Sequence, residues 1–267
     1  MSKPASILRP IWFLLICPLI LILLGPLATA LSPVVAPLAV GTIATVFTLL
    51  LTKAFVRWDG LKLKDVGAAV SRQSVSRMIG GVLIGAALVA VQILTVKVGG
   101  HAHWVVGEQQ SLATVMLMIA GYIALASREE LAFRGYPLRR LEAAWGMWPA
   151  LVFISAIFAI EHVAAGMNWW QLLIGTFLGG LMFGMAAQAT RGLAVPLGIH
   201  CGFNSGQWLM GQKGMPGVWK AVVDTGFAGQ AEALGYIGYA VGTLVIALGF
   251  WLWSWKANSS RRQAVSA

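Results

Sequence analysis

The most constraining feature of this sequence is a series of apolar stretches, each close to the length at which a helix crosses a bilayer. A spanning helix needs about 20 mostly apolar residues and satisfies its own backbone polar groups. Hydrophobic residues make up 58% of the 267 residues and charged residues only 10%, whereas soluble domains carry about 25% charged residues. The sequence therefore predicts an integral membrane protein and excludes both a soluble enzyme and a disordered chain.

Eight stretches are predicted to span the membrane. They run near 11–30, 36–54, 78–98, 112–127, 148–165, 169–190, 193–211 and 233–255. A short amphipathic segment, from Arg134 to Trp145, is predicted to lie at the interface. The predicted fold class is all-α, a polytopic bundle of about eight transmembrane helices. We expect residues 1–267 to form a single membrane domain.

The basic residues indicate how these spans are oriented. The chain has 19 Lys and Arg against 9 Asp and Glu, a formal charge of +10. With both termini in the cytoplasm, all basic residues except Lys97, Lys213 and Lys220 lie on the inner side, as the positive-inside rule requires. Because no basic stripe is interleaved with aromatic residues, we expect no binding of nucleic acid. The compact chain favours a bacterial inner membrane.

Two further patterns concern the spans themselves. Residues 11–30, which end in Ala28-Thr29-Ala30, could instead be a cleaved signal peptide, although the apolar stretch is long for one. Glycines also recur at a spacing of four, which allows close helix approach in lipid and predicts packing within the bundle. These pairs are Gly81 and Gly85, Gly175 and Gly179, Gly180 and Gly184, and Gly238 and Gly242.

Three groups of polar residues interrupt the predicted spans. They lie at 127–134, 158–162 and 200–204. Ionisable groups inside a membrane cost about 2.5–3.5 kcal/mol each, so they mark functional sites by default. In the first group Glu130 and Arg134 are four residues apart and can pair on one helix face. Glu129 points about 100° away and can face the bundle, although a charged helix end at the membrane surface would have the same composition.

The other two groups contain histidines. His200 and Asn204 project from one face of a helix, where their N–H groups could stabilise an oxyanion. They could equally hydrogen-bond neighbouring helices. His162 is expected near the middle of the fifth span, where it could orient a water molecule while Glu129 takes its proton. A buried structural histidine is the alternative.

The order and spacing of these residues resemble a known family of membrane proteases. Glu129-Glu130 with Arg134, Phe158 with His162, and His200 with Asn204 match the motifs Glu-Glu-x-x-x-Arg, Phe-x-x-x-His and His-x-x-x-Asn. These three motifs are typical of the CAAX prenyl endopeptidase and bacteriocin-processing family (CPBP, or ABI). The resemblance covers about residues 80–210, which would form the protease core, and implies a catalytic cavity between the helices.

The resemblance implies a role for each residue. Glu129 and His162 would activate a water molecule, His200 and Asn204 would form an oxyanion hole, and Glu130 and Arg134 would support the first motif. The reaction would be hydrolysis of a peptide bond in or near the membrane. Membrane lipids would surround the enzyme, and its substrate would be a membrane protein, a prenylated protein, or a lipopeptide or peptide.

Several alternatives remain open at this point. Glu129, His162 and His200 could be zinc ligands, although the absence of a short His-x-x-x-His spacing favours a mechanism without a metal or other cofactor. Cys201, next to His200, could be a nucleophile, but it lies on the same helix only about 100° away. The chain could also be a non-catalytic immunity or scaffolding protein of the same fold. A small proton-coupled transporter is the third possibility, and two related halves, which this would predict, are not visible.

Overall fold

A computed structural model describes residues 3–99 and 101–266, and side chains for residues 7–99 and 101–256. Lys3, Arg261 and Arg262, all on the predicted inner side, therefore have side chains outside the described residues. Nine α-helices occur in the described residues: α1 Lys3–Ala30, α2 Ala36–Trp58, α3 Arg72–Gly99, α4 Leu112–Glu129, α5 Tyr136–Trp145, α6 Met147–Glu161, α7 Gly179–Thr190, α8 Ala194–Leu209 and α9 Ala228–Ser266. The predicted helical bundle is confirmed.

Shorter helical segments join these helices. Two are 3₁₀ turns, Leu63–Val66 and His162–Ala165, and two are π-helical, Glu130–Arg134 and Gln171–Leu178. Strands β1 (Ala102–Val106) and β2 (Trp219–Val223) pair antiparallel, with Trp104 opposite Ala221. Both strands lie between predicted spans, where no secondary structure is predicted from the sequence. The pairing joins two segments more than 100 residues apart, and no local pattern in either segment announces it.

Seven helical segments in the described part of the chain are long and apolar enough to cross a membrane. They are Ile7–Ala30, Ala36–Trp58, Arg72–Gly99, Leu112–Trp145, Met147–Ala165, Gln171–Thr190 and Ala228–Lys256. The remaining predicted span corresponds to α8, whose 16 residues extend about 24 Å, less than the roughly 30 Å of a hydrocarbon core. Ten of its residues are nevertheless buried within the bundle.

The fourth span differs from its prediction in length. It was expected to end near residue 127, which would put Glu129 at the membrane surface. Instead, helical structure continues through the π-helical segment into α5, so the apolar segment Leu112–Trp145 is 34 residues long and Glu129 lies inside the bundle. α5 buries Tyr136, Leu138 and Leu141 and packs on α1 and α6.

Helix α8 lies directly on α3 because glycines line their contact. A Cβ atom on Gly81 would come within 2.4 Å of the carbonyl oxygen of Val195, and one on Gly85 within 2.3 Å of that of Ile199. The prediction of close packing by these two glycines is confirmed, and it extends to Gly180 and Gly184, which face α6. Gly175 has nothing within 4 Å, so this member of its predicted pair makes no close contact. The α3–α8 contact fixes the helix that carries His200 and Asn204.

The two ends of the bundle can be identified by the residues that lie there. At one end Asp59 accepts hydrogen bonds from Arg9 and Tyr136 and pairs with Arg140 at 2.7 Å. The start of α8 lies at this end too, since Leu193 donates to the carbonyl oxygen of Gly67. We call it the basic end. The opposite end, which we call the strand end, contains strands β1 and β2, residues 162–171 and residues 210–227.

Candidate active site

A cavity of about 720 Å³ opens between the helices, a volume within the usual range for ligand sites. Its lining includes all four residues predicted to be catalytic, namely Glu129, His162, His200 and Asn204. Side chains of β1, β2, the loop after α8 and the start of α9 line the same cavity, among them Trp104, Lys213, Ala221 and Glu232. The cavity therefore leads from the strand end of the bundle down to the polar motifs.

The first motif lies where α4 changes into a π-helical turn. The amide of Gly135 donates to the carbonyl oxygen of Glu130 over 3.1 Å, five residues back instead of four. Turns of this kind are rare and occur frequently at functional sites. The sequence predicts a regular α-helix here, because a π turn leaves no distinct hydrophobic period. The side chains still separate: that of Glu130 is 1% exposed and that of Glu129 is 19% exposed.

Arg134 lies completely buried behind this turn. One of its nitrogens is 3.6 Å from the Glu130 carboxylate, as the spacing of four predicts, and another donates to the carbonyl oxygen of Gly180 at 3.3 Å. The guanidinium group also lies over the Phe158 ring, 4.3 Å from its centroid, a cation–π geometry. Arg134 therefore links the first motif to α7 and to the phenylalanine of the second motif, away from the cavity.

His162 terminates α6, where the chain tightens into the 3₁₀ turn that ends before Gly166. The prediction that His162 lies near the middle of a span is therefore wrong: α6 passes into the 3₁₀ turn at this residue, and the turn ends where Gly166 adopts a left-handed conformation with φ of 74°. Nδ1 of His162 lies 2.8 Å from the carbonyl oxygen of Phe158. Because a carbonyl oxygen only accepts, Nδ1 carries a proton, and in the neutral ring Nε2 is therefore the acceptor.

His200 lies between the two glutamates of the first motif. Its Nδ1 donates to the Glu130 carboxylate at 2.8 Å, and its Nε2 lies 3.5 Å from Glu129 Oε2. The ring of Phe183 stacks on the imidazole with centroids 4.5 Å apart. The hydrogen bond to Glu130 and the stacking on Phe183 together fix the orientation of the ring, because they hold one edge and one face of it.

Asn204 lies one turn farther along α8 and faces the same cavity. Its Oδ1 accepts a hydrogen bond from the ammonium group of Lys213 at 2.8 Å. The loop that carries Lys213 lies outside the spanning helices, and burial lowers the pKa of this lysine to about 8. Nothing in the sequence singled out Lys213, because it follows the third motif in a glycine-rich loop.

Arg128 and Glu161, which the sequence analysis did not combine, form a buried pair. They are joined by two hydrogen bonds of 2.8 and 2.5 Å, and Arg128 also donates to the carbonyl oxygen of Cys17. The pair connects α4, α6 and α1. Its residues adjoin Glu129 and His162 in sequence, and this adjacency was the one available signal.

Glu129 differs from the other two clustered glutamates. Glu130 pairs with Arg134 and Glu161 with Arg128, whereas the ion pairs of the described residues give Glu129 only His200. Its Oε2 has no hydrogen-bond partner among those residues. Glu129 is therefore the carboxylate of this cluster that can accept a proton from a molecule in the cavity.

Cys201 and the alternative zinc ligands differ in their relation to the cavity. Cys201 donates to the carbonyl oxygen of Gly198 and is not among the lining residues. Over the part of the chain that the structure describes, no three His, Cys, Asp or Glu side chains are grouped as ligands of a metal ion. Glu129, His162 and His200, the alternative zinc ligands, all line the cavity.

Comparison with known families adds to this geometry. Residues 110–206 match the family model described as Rce1-like, type II CAAX prenyl endopeptidase. The matched segment contains all three motifs and confirms the resemblance predicted from them. No curated protein and no solved structure matches the chain. The chain is an integral, multi-pass membrane protein, and the family match indicates a membrane endopeptidase of the CAAX-protease type.

Proposed function

We propose that this protein is an intramembrane endopeptidase in which Glu129 and His162 activate a water molecule. The observation that carries the proposal is the position of Glu129, which lacks an arginine partner and lines the cavity together with His162, His200 and Asn204. The resemblance of residues 110–206 to CAAX prenyl endopeptidases supports the same reaction class.

The first step uses two acceptors. A water molecule between Glu129 and His162 donates one hydrogen to the carboxylate and the other to His162 Nε2, which the bond to Phe158 leaves free. Glu129 takes the proton as the water oxygen attacks the scissile carbonyl carbon. The new C–O bond converts the carbonyl oxygen into an oxyanion.

Asn204 and His200 face this oxyanion. Nδ2 is the donor of the Asn204 amide, and it lies on the side of the amide away from the contact between Oδ1 and Lys213. Because His200 Nδ1 already donates to Glu130, donation from Nε2 to the oxyanion requires the doubly protonated ring. Nε2 is 3.5 Å from Glu129, longer than a normal hydrogen bond, so its N–H is not committed to that carboxylate. Glu129 then returns its proton to the leaving nitrogen as the C–N bond breaks, which yields a carboxylic acid and an amine. The second proton of the attacking water, which faces His162 Nε2, passes to that nitrogen as the acid becomes a carboxylate.

A peptide-cleavage assay tests the function directly. We expect the purified protein in lipid nanodiscs to cleave at least one of three probes, followed by mass spectrometry: an S-farnesylated peptide, its unmodified counterpart and a hydrophobic transmembrane peptide. Because no metal step is proposed, activity should survive a chelator such as 1,10-phenanthroline. Loss of activity that zinc restores would contradict the cofactor-free mechanism, and absence of cleavage of every probe would contradict the protease.

We further propose that the protein lies in a bacterial inner membrane with both termini in the cytoplasm. The basic end carries Lys62, Lys64, Arg72 and Arg140, and the strand end carries Lys97, Lys213 and Lys220 together with Glu108, Asp224 and Glu232. The excess of basic residues marks the cytoplasmic side. The cavity, which opens at the strand end, then faces away from the cytoplasm.

This orientation narrows the substrates. A scissile bond must reach the cavity from the non-cytoplasmic side, which favours exported lipopeptides and outer segments of membrane proteins over prenylated proteins of the cytoplasm. Apolar walls formed by Phe158, Phe203 and Tyr239 suit a substrate with a hydrophobic segment or a lipid chain.

Cysteine labelling tests the orientation without a substrate. In a variant with Cys17 and Cys201 replaced by alanine, Lys220→Cys on β2 should react with a membrane-impermeant maleimide on intact cells. Lys64→Cys at the basic end should react only after the membrane is permeabilised. Both side chains belong to exposed residues. The reverse labelling pattern would overturn the orientation and restore cytoplasmic substrates.

A further inference from the structure

Lys213 reaches back along α8 into the cavity from the loop that follows the helix. Its ammonium group is 2.8 Å from Asn204 Oδ1, and no carboxylate of the described residues forms an ion pair with it. The other two lysines of the strand end, Lys97 and Lys220, are exposed. Lys213 is thus a cation placed at the candidate oxyanion hole, while its counterparts face the surroundings.

The loop between α8 and β2 turns back tightly on the end of α8, which brings Lys213 to the cavity. Gly211 and Gly214 adopt φ values of 71° and 67°, a region that favours glycine. The amides of Gly211 and Gln212 donate to the carbonyl oxygens of Trp208 and Gln207. A Cβ atom on Gly217 would lie 2.1 Å from the carbonyl oxygen of Trp208. Glycines at these points let the loop fold tightly against the end of α8.

The chemistry of the contact determines which end of the Asn204 amide faces the substrate. An ammonium group has three donors and no acceptor, so only Oδ1 of the amide can face it. Nδ2, on the opposite side of the amide, then faces away from Lys213. If the amide rotated by 180°, its oxygen would face a developing oxyanion and repel it. A side chain that only donates therefore selects the amide orientation that hydrolysis needs.

We propose that Lys213 is a positioning residue, which acts through Asn204 by holding its amide with Nδ2 directed at the oxyanion. This inference rests on the proposed proteolytic function and extends it to a residue outside the three motifs. It predicts that the contribution of Lys213 to catalysis disappears when the Asn204 amide is absent.

A double-mutant cycle tests this role on the full chain in nanodiscs, with the peptide probes cleaved by the wild type. Lys213→Met should lower kcat by about 10²-fold with little change in KM, comparable to losing one oxyanion donor, and Lys213→Arg should recover most of the loss. In an Asn204→Ala background, Lys213→Met should have almost no further effect. Lys220→Met, at the same end but outside the cavity lining, is the matched control. Wild-type kcat in Lys213→Met, or losses that multiply in the double variant, would overturn the proposal.

The pH profile is a second readout. Below a pH of about 8 Lys213 is protonated and donates, and above it the charge is lost, so kcat should fall on the alkaline side. Lys213→Arg should move this fall to higher pH, since a guanidinium stays protonated. Other titratable groups lining the cavity are Glu129, His162, His200, Glu232, Tyr236 and Tyr239. An alkaline limb identical in Lys213→Arg would count against the proposal.

Thermal unfolding distinguishes an error in the proposed role of Lys213 from an error in the proposed proteolytic function. The same four proteins, wild type, Lys213→Met, Asn204→Ala and the double variant, give a cycle that needs no substrate. Non-additive changes in Tm support the Lys213–Asn204 contact, and additive changes contradict it. Absence of peptide cleavage by the wild type instead contradicts the proteolytic function on which the positioning role depends.

Discussion

Replacing Glu129 with glutamine is expected to lower kcat for peptide cleavage by about 10³-fold, within the range for loss of a general base. Glutamine keeps the size of the side chain but cannot take a proton from water. Because Glu129 has no arginine partner, the change leaves no buried guanidinium group unpaired. We therefore expect the variant to fold normally, with a Tm close to that of the wild type, so that cleavage rate is the measurement affected.

Glu142→Gln is the matched control for this experiment. Glu142 pairs with Arg139 at 3.4 Å and is not among the residues that line the cavity. Its variant should cleave at the wild-type rate. Full activity of Glu129→Gln would contradict the proposed mechanism. If the variant lost cleavage while the cell kept the biological output of the protein, a scaffolding role would account for that output.

Gly81→Ala is expected to lower activity by about 10²-fold although residue 81 lies outside the cavity lining. The added Cβ would come within 2.4 Å of the Val195 carbonyl oxygen and 2.9 Å of the Gly198 Cα atom. Both are backbone atoms, so α3 and α8 must separate. Such overpacking costs about 1–3 kcal/mol, and a displacement of about 1 Å at catalytic groups can cost 10²-fold in rate. His200 and Asn204 would move with α8.

Gly80→Ala provides the comparison at the adjacent position. A Cβ atom on Gly80 meets nothing within 4 Å, while its effect on helix propensity is the same as at Gly81. Gly80→Ala should therefore keep both Tm and kcat, or raise Tm slightly. Equal effects of the two substitutions would show that α3 and α8 do not approach each other as closely as the structure places them.

Much of the fold could be predicted because its signals are local. Runs of apolar residues of the right length identify helices α1, α2, α3 and α9 without knowledge of their neighbours. The spacing of four between Glu130 and Arg134 likewise predicts their proximity, and this survives the π-helical turn. Residues grouped on three separate spans could be expected to meet, since polar side chains in lipid need polar partners.

The remaining features depend on contacts between distant segments. The β1–β2 pair joins residues near 104 and 221, and Arg128 on α4 forms an ion pair with Glu161 at the end of α6. Neither partner reveals the other in sequence. Lys213 was predicted only as an outer loop residue, because the left-handed glycines that return it to Asn204 are indistinguishable in sequence from glycines of an ordinary turn. The end of α6 at His162 was missed for a similar reason.

The Arg128–Glu161 and Arg134–Glu130 pairs form a rigid base, whereas two loops and a two-stranded sheet frame the opening above it. Under the proposed proteolytic function, selection of a peptide would depend mainly on this rim and hydrolysis on the residues beneath it, with Lys213 as the rim residue that reaches the candidate catalytic groups. Substitutions between residues 101 and 111 or between 218 and 227 would change the width and polarity of the entrance without altering the buried charges. A bundle built this way could acquire new peptide preferences through changes in its rim.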